Sequence, residues 1–166
     1  VKLEYDYTRD ELMFLMSHDS DGFNRWEAGQ RLAIDVINEI IGQIQSGAAI
    51  EVDDRLISAC ENNLNQAIEH DRDGTIDKSM IAHMLVMPQE TYLAELSEVA
   101  DVDAIHQARE AVRGEIAKRL KGVLLSVYKL NQDSGQYQPT ADAMARRSLK
   151  NMALSYLMQP DDTEMV

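Results

Sequence analysis

The chain has 166 residues, 45% hydrophobic and 27% charged, with a formal net charge of −13 at pH 7. That length suits one folded domain with a real core, and 8 glycines and 3 prolines fit a helical protein rather than a disordered or fibrous one. The negative field repels phosphate backbones and argues against nucleic acid as a partner. No run of 18 or more apolar residues is available to span a membrane, and the lone Cys60 excludes a disulfide framework and fits a reducing compartment. The expectation is a soluble, cytoplasmic chain with neither nucleic-acid nor membrane partners.

Residues 1 to 7 alternate, with Val1, Leu3, Tyr5 and Tyr7 on one face and Lys2, Glu4 and Asp6 on the other. This predicts one half-buried β-strand, and nothing later in the chain offers it a partner. It reads as the last strand of a preceding β domain, leaving residues 8–166 as a helical domain. Thr8 and Glu11 have capping-box spacing and predict a short helix through Leu12, Phe14, Leu15 and Met16. After the polar turn from His18 to Gly22, apolar residues recur with helical spacing from Trp26 through Ile44, predicting a helix of about 20 residues that ends at Ser46-Gly47.

A third helix is predicted from near Asp54, with Leu56, Cys60 and Leu64 on one stripe, so Cys60 reads as a small buried hydrophobe. A fourth should run from about Asp77 to Val86, and Pro88 suits the first helical position of a fifth carrying Tyr92, Leu93 and Leu96. Asp101 or Asp103 can cap the longest helix, whose stripe from Ile105 through Leu120 to Val127 predicts about six unbroken turns ending near Asn131. Asn131 to Pro139 is a polar loop, and Thr140 caps a last helix stopped by Pro160. Arg146, Arg147 and Lys150 read as a solvated face of that helix. Seven helices with short polar turns and single apolar stripes predict an all-α fold of antiparallel helix pairs, a HEAT/ARM-like right-handed solenoid fragment preceded by the orphan strand.

Two loops partly match calcium-binding EF-hands. Asp71, Asp73, Gly74, Ile76 and Asp77 fall at the right positions, but Glu69 stands at position 1 and Met80 at position 12, where a bidentate Glu is required. Asp19, Asp21 and Gly22 repeat the partial match, and Ala28 fails at position 12. Both loops read as charged helix-capping turns. For zinc, His18, His70, His83, His106 and Cys60 offer no helical ligand pair; His106 and Glu110, four apart, read as a helix-surface hydrogen bond. There is no H-E-x-x-H, G-x-S-x-G, C-x-x-C or Gly-rich phosphate loop.

Four blocks carry a family resemblance: Tyr5 to Ala33 (containing HDSDGFNRWEAGQ), Pro88 to Arg113, Leu124 to Tyr137, and Ala145 to Met158. Together they resemble the zinc aminopeptidases of the aminopeptidase N (alanyl aminopeptidase) type, at the junction of the family's small β-sandwich with its helical C-terminal domain. Gly22 stands where the family pattern leads one to expect proline. The resemblance implies a non-catalytic fragment of an enzyme that removes N-terminal residues from peptides. Its cofactor, zinc, would sit in the parent's catalytic domain and none in this chain. Its partners would be the parent's catalytic and β-sandwich domains and, through them, peptide substrates. No catalytic residue and no metal ligand carries over. Trp26 is expected as a core anchor, and Asn24, Arg25 and Glu27 as polar groups tying the first long helix to the adjacent turn or domain. The alternatives are a stand-alone helical protein-interaction module and a degenerate EF-hand-like calcium binder.

Overall fold

The computed structural model describes residues 6–132, 135 and 138–159, and among them every regular element is a helix. The helices are α1 (Arg9–His18), α2 (Gly22–Ser46), α3 (Asp54–Glu69), α4 (Lys78–Met84), α5 (Glu90–Leu96), α6 (Val102–Arg119), α7 (Lys121–Leu130) and α8 (Ala141–Leu157). The predicted strand over residues 1–7 falls mainly on residues 1–5, which lie outside the described residues.

The helix starts follow their caps. Thr8 and Glu11 form the expected capping box at α1, and Asp21, Asp53, Asp77, Asp101 and Thr140 each place a side-chain oxygen on a free amide in the first turn of α2, α3, α4, α6 and α8. α2 ends at Gly47, whose φ of 70° is the left-handed conformation that only glycine adopts without strain. With 25 residues it is longer than its stripe predicted.

α2 and α3 form the centre. α2 packs on α1, α3, α4 and α6; α3 also meets α1, α4, α6 and α7; α8 closes the far side against α7, α4 and α6. Leu32, Ala33, Ile37 and Ile40 of α2 and Leu56, Cys60 and Leu64 of α3 are fully buried in one continuous core. Two close approaches are set by glycine. A Cβ on Gly29 would meet the Met16 sulfur at 3.1 Å, and one on Gly22 would meet the Met80 methyl at 2.9 Å. Met80, the residue that spoils the calcium loop, is thus a packing residue that seats α4 on the start of α2.

Two sequence expectations need correction. The long helix predicted to run unbroken to Asn131 is two helices, which makes eight in all among the described residues. Leu120 between them leaves the helical conformation (φ −102°, ψ 13°). Its side chain is buried, so the apolar stripe continues across a break in the backbone. Periodicity reads the stripe and is blind to the break, which falls just before Gly122, a poor helix former. The break frees α7 to turn away from α6 and pack on α3 and α8. Secondly, Pro88 is not the first residue of α5, which starts at Glu90 after the N-cap Gln89. Pro88 is instead a buried connector whose carbonyl accepts from Arg109 Nε at 2.9 Å.

Cys60 is fully buried, and desolvation pushes its thiol up to about 12. The native chain should therefore resist iodoacetamide at pH 8 and react only as fast as it unfolds, measured by mass spectrometry with and without urea. Rapid stoichiometric alkylation of the folded chain would contradict that burial.

Candidate functional site

The segment with the most distinctive sequence, His18 to Ala33, builds a polar junction where α1, α2 and α3 meet. Arg25 reaches back from the first turns of α2. Its Nε donates to the carbonyl of Met16 at 3.0 Å, and one terminal nitrogen donates to Asn63 Oδ1 at 2.6 Å and to Gln66 Oε1 at 2.8 Å. Asn63 in turn donates to the Ala59 carbonyl at 2.8 Å, and Gln66 to the Ser17 carbonyl at 2.9 Å. The guanidinium and the two amides thereby satisfy the Met16 and Ser17 carbonyls in the last turn of α1, which a helix end cannot bond internally. Burial lowers the Arg25 pKa, opposed by the Asp19 charge. The Ser17 hydroxyl is buried beside this junction without a hydrogen-bond partner.

The other expected residues of this segment have different surroundings. Asn24 is exposed; its amide N–H caps onto Asp21 at 3.1 Å and its side chain reaches Asp19 only at 3.5 Å. Trp26 is half-buried, packed on the core on one side and tilted against Phe23 on the other, ring centres 5.8 Å apart. Glu27 pairs with Arg31 at 2.8 Å, one turn along the same helix. Sequence reading missed Asn63 and Gln66, the α3 half of the junction. The available signal was Asn63 itself, a polar residue adjoining the stripe of Leu56, Cys60 and Leu64, where a buried amide must find partners.

A second polar cluster joins α1, α2 and α3. Arg9 bridges Glu39 and Asp53, and Asp53 also receives the Arg55 guanidinium at 2.7 Å. The hydrogen bonds from Arg55 are the main cause holding the Asp53 carboxyl far below the usual carboxylate range. A groove of about 970 Å³ lies between the α2–α3 connection and α6, lined by Glu51, Asp54, His106, Glu110, Gly114 and Arg119 among others. Asp54 is held by Arg119 at 2.6 Å and Glu110 by Arg113 at 3.1 Å, and among the described residues no Ser, Thr, Cys or Lys lines the groove. His106 does not pair with Glu110 as its spacing predicted. Its Nδ1 lies 2.9 Å from Glu90 on α5, and that contact raises the His106 pKa.

The calcium-like loops are closed by protein groups. Asp73 bonds His70 and Thr75, Asp77 caps α4, Asp71 is paired with the Lys78 ammonium, and Asp19 and Asp21 bond backbone amides. Among the described residues no group of three or more His, Cys, Asp or Glu side chains could hold a metal ion, so the zinc implied by the resemblance has no fit among them. Arg146 and Arg147 are also occupied, donating to the carbonyls of Leu130 at 3.0 Å and Gln138 at 3.2 Å. No helix among the described residues is long and apolar enough to cross a membrane.

An all-helical domain with helix ends pinned by polar side chains, and with no assembled catalytic constellation among its described residues, is the class these observations define. Residues 9–166 match the family described as "Domain of unknown function (DUF3458_C) ARM repeats", and the chain belongs to that family. It is similar to aminopeptidase N of Escherichia coli, 32% identical over 157 residues that make up 95% of this chain and 17% of that protein. It is also similar to aminopeptidase N of Haemophilus influenzae (31% over 160 residues, 95% and 17%) and of Caulobacter vibrioides (35% over 152 residues, 91% and 16%). The chain thus spans about one sixth of the length of these relatives. Among solved structures, Legionella pneumophila aminopeptidase A, crystallised in complex with aspartic acid, shares the fold with a TM-score of 0.74 at 24% identity, covering 95% of this chain and 18% of that one.

Proposed function

We propose that this chain is the first part of the helical C-terminal domain of a zinc aminopeptidase, acting as a wall of the enzyme rather than as its catalyst. The observation that carries the reading is the pairing of near-complete coverage of this chain with about one sixth coverage of each aminopeptidase N relative. Such a ratio is what one domain of a larger enzyme gives. On this reading the preceding residues 1–7 are the last strand of a β-sandwich, residues 8–166 are part of an antiparallel, right-handed ARM-type solenoid, and the domain packs on the catalytic domain and closes a chamber that admits peptides. When bound in that catalytic domain, zinc would polarise the scissile carbonyl and activate water.

What this chain's own residues contribute is rigidity. Arg25, Asn63 and Gln66 fix α1 to α2 and α3, so whatever α1 touches is positioned by the whole core and not by a loose terminal helix. The whole enzyme is expected to act in the cytoplasm.

The test is hydrolysis of a chromogenic alanyl anilide with added zinc, by the 166-residue chain and by the full-length polypeptide in parallel. The expected result is cleavage by the full-length polypeptide only. Cleavage by the chain itself at a comparable rate, stopped by a chelator, would place the active site here and overturn the reading.

A further inference from the structure

The stretch between the end of α4 and the start of α6 is held to the rest of the fold by few groups. Of the described residues 89–103, Leu93 alone is buried. The larger apolar side chains near it, Tyr92, Leu96, Val99 and Val102, are exposed and add nothing to the core. α5, inside this stretch, rests mainly on α6, and its N-cap Gln89 makes no side-chain bond to the first turn. Segments with few buried apolar contacts open locally at a fraction of the free energy of global unfolding. The two ends are better fixed: the Pro88 carbonyl accepts from Arg109, and Asp101 caps α6 and accepts from Gln45 at 3.3 Å.

Besides Leu93, what holds α5 is polar. Residues 89–103 carry Glu90, Glu95, Glu98, Asp101 and Asp103, and no Lys or Arg stands between Lys78 and Arg109. The cations that meet α5 are on α6: His106 Nδ1 lies 2.9 Å from Glu90, and the Arg109 guanidinium lies 3.9 Å from the same carboxylate. We propose that residues 89–103 form a strap that opens as a unit, and that the contact between His106 and Glu90 is its latch, closed while the imidazole is protonated and weakened once it is neutral. Arginine stays charged throughout the working pH range, so His106 is the variable half of the pair. On α6 itself Glu110 favours its protonation and Arg109 opposes it, and the groove that it lines also holds Glu51, Glu115 and the Asp54–Arg119 pair. Glu90 has the largest effect and raises the His106 pKa above the ordinary histidine value. The contribution of the latch is therefore full below about pH 6.5 and fades as pH rises through the raised value. A neutral imidazole can still donate one hydrogen bond, so the change is graded.

The experiment is amide hydrogen exchange of the chain, followed by mass spectrometry at pH 6 and pH 8 with the intrinsic pH dependence of exchange divided out. Peptides covering residues 89–103 should open more readily than those of α3 at both values. Their opening should grow about two- to fivefold from pH 6 to pH 8, the size expected of one exposed ion pair. His106→Gln keeps a donor that does not titrate, and Glu90→Gln removes the charge to which the imidazole answers. Each substitution should flatten the pH dependence while exchange in α3 stays unchanged. Strap peptides as well protected as those of α3 would overturn the strap. Opening that does not change with pH in the unsubstituted chain, a pH response that survives in both variants, or one that appears equally in α3 would overturn the latch.

Discussion

Replacing Arg25 with alanine is expected to destabilise the chain by about 3 kcal/mol, because each buried polar group left without a partner costs about 1–3 kcal/mol. The substitution removes three hydrogen bonds at once, to the Met16 carbonyl, Asn63 and Gln66. Asn63 is fully buried, so its side-chain oxygen cannot turn to water, and the Met16 carbonyl keeps only a long contact of 3.5 Å from the Asn63 amide. Arg25→Lys should recover less than half of the loss, since an ammonium cannot present the planar fork that reaches three acceptors in different directions. The measurement is urea unfolding followed by circular dichroism: the midpoint should fall with no change in slope. Because the same guanidinium closes the end of α1, Arg25→Ala should also raise amide exchange in α1 above that in α6. A loss under about 0.5 kcal/mol, the level of an ordinary surface change, would mean the junction is ornamental.

That junction shows what could be read from the sequence and what could not. Arg25 stands in the stretch that most resembles a known family, and its position near the start of a long helix was legible from the stripe running from Trp26 to Ile44. Its partners were not, because Asn63 and Gln66 lie 38 and 41 residues away. Spacing rules relate residues within one element and are silent about which elements meet. The caps at Thr8 and Thr140 were legible for the opposite reason: a capping hydrogen bond spans about three residues and is written locally. The break at Leu120 escaped because a buried leucine satisfies the apolar period whether or not the backbone is continuous. The pairing of His106 was misread in the same way, since its true partner, Glu90, is on another helix.

Lys78→Met should cost about 3 kcal/mol, in the range expected when one partner of a buried charge pair is removed. Lys78 is buried at 7% exposure, and its ammonium sits between the Asp71 carboxylate and Asn131 Oδ1, the latter at 3.0 Å. Asn131 is itself 1% exposed and donates to the Val127 carbonyl at 2.8 Å, which ties the start of α4 to the end of α7 across 53 residues of sequence. Methionine keeps the length of the side chain but leaves a largely buried carboxylate without a cation and an amide oxygen without a donor. Asp71→Asn in the same chain removes the stranded charge, so the double variant should be less destabilised than the sum of the single ones by about 1–2 kcal/mol. Strict additivity would show that Lys78 acts through packing of its methylene stem alone. The pair also explains why this turn resembles a calcium loop without needing calcium. The carboxylate that would stand at position 3 of such a loop is already neutralised by an ammonium carried on the next helix, so its charge is used here to hold α4 to α7.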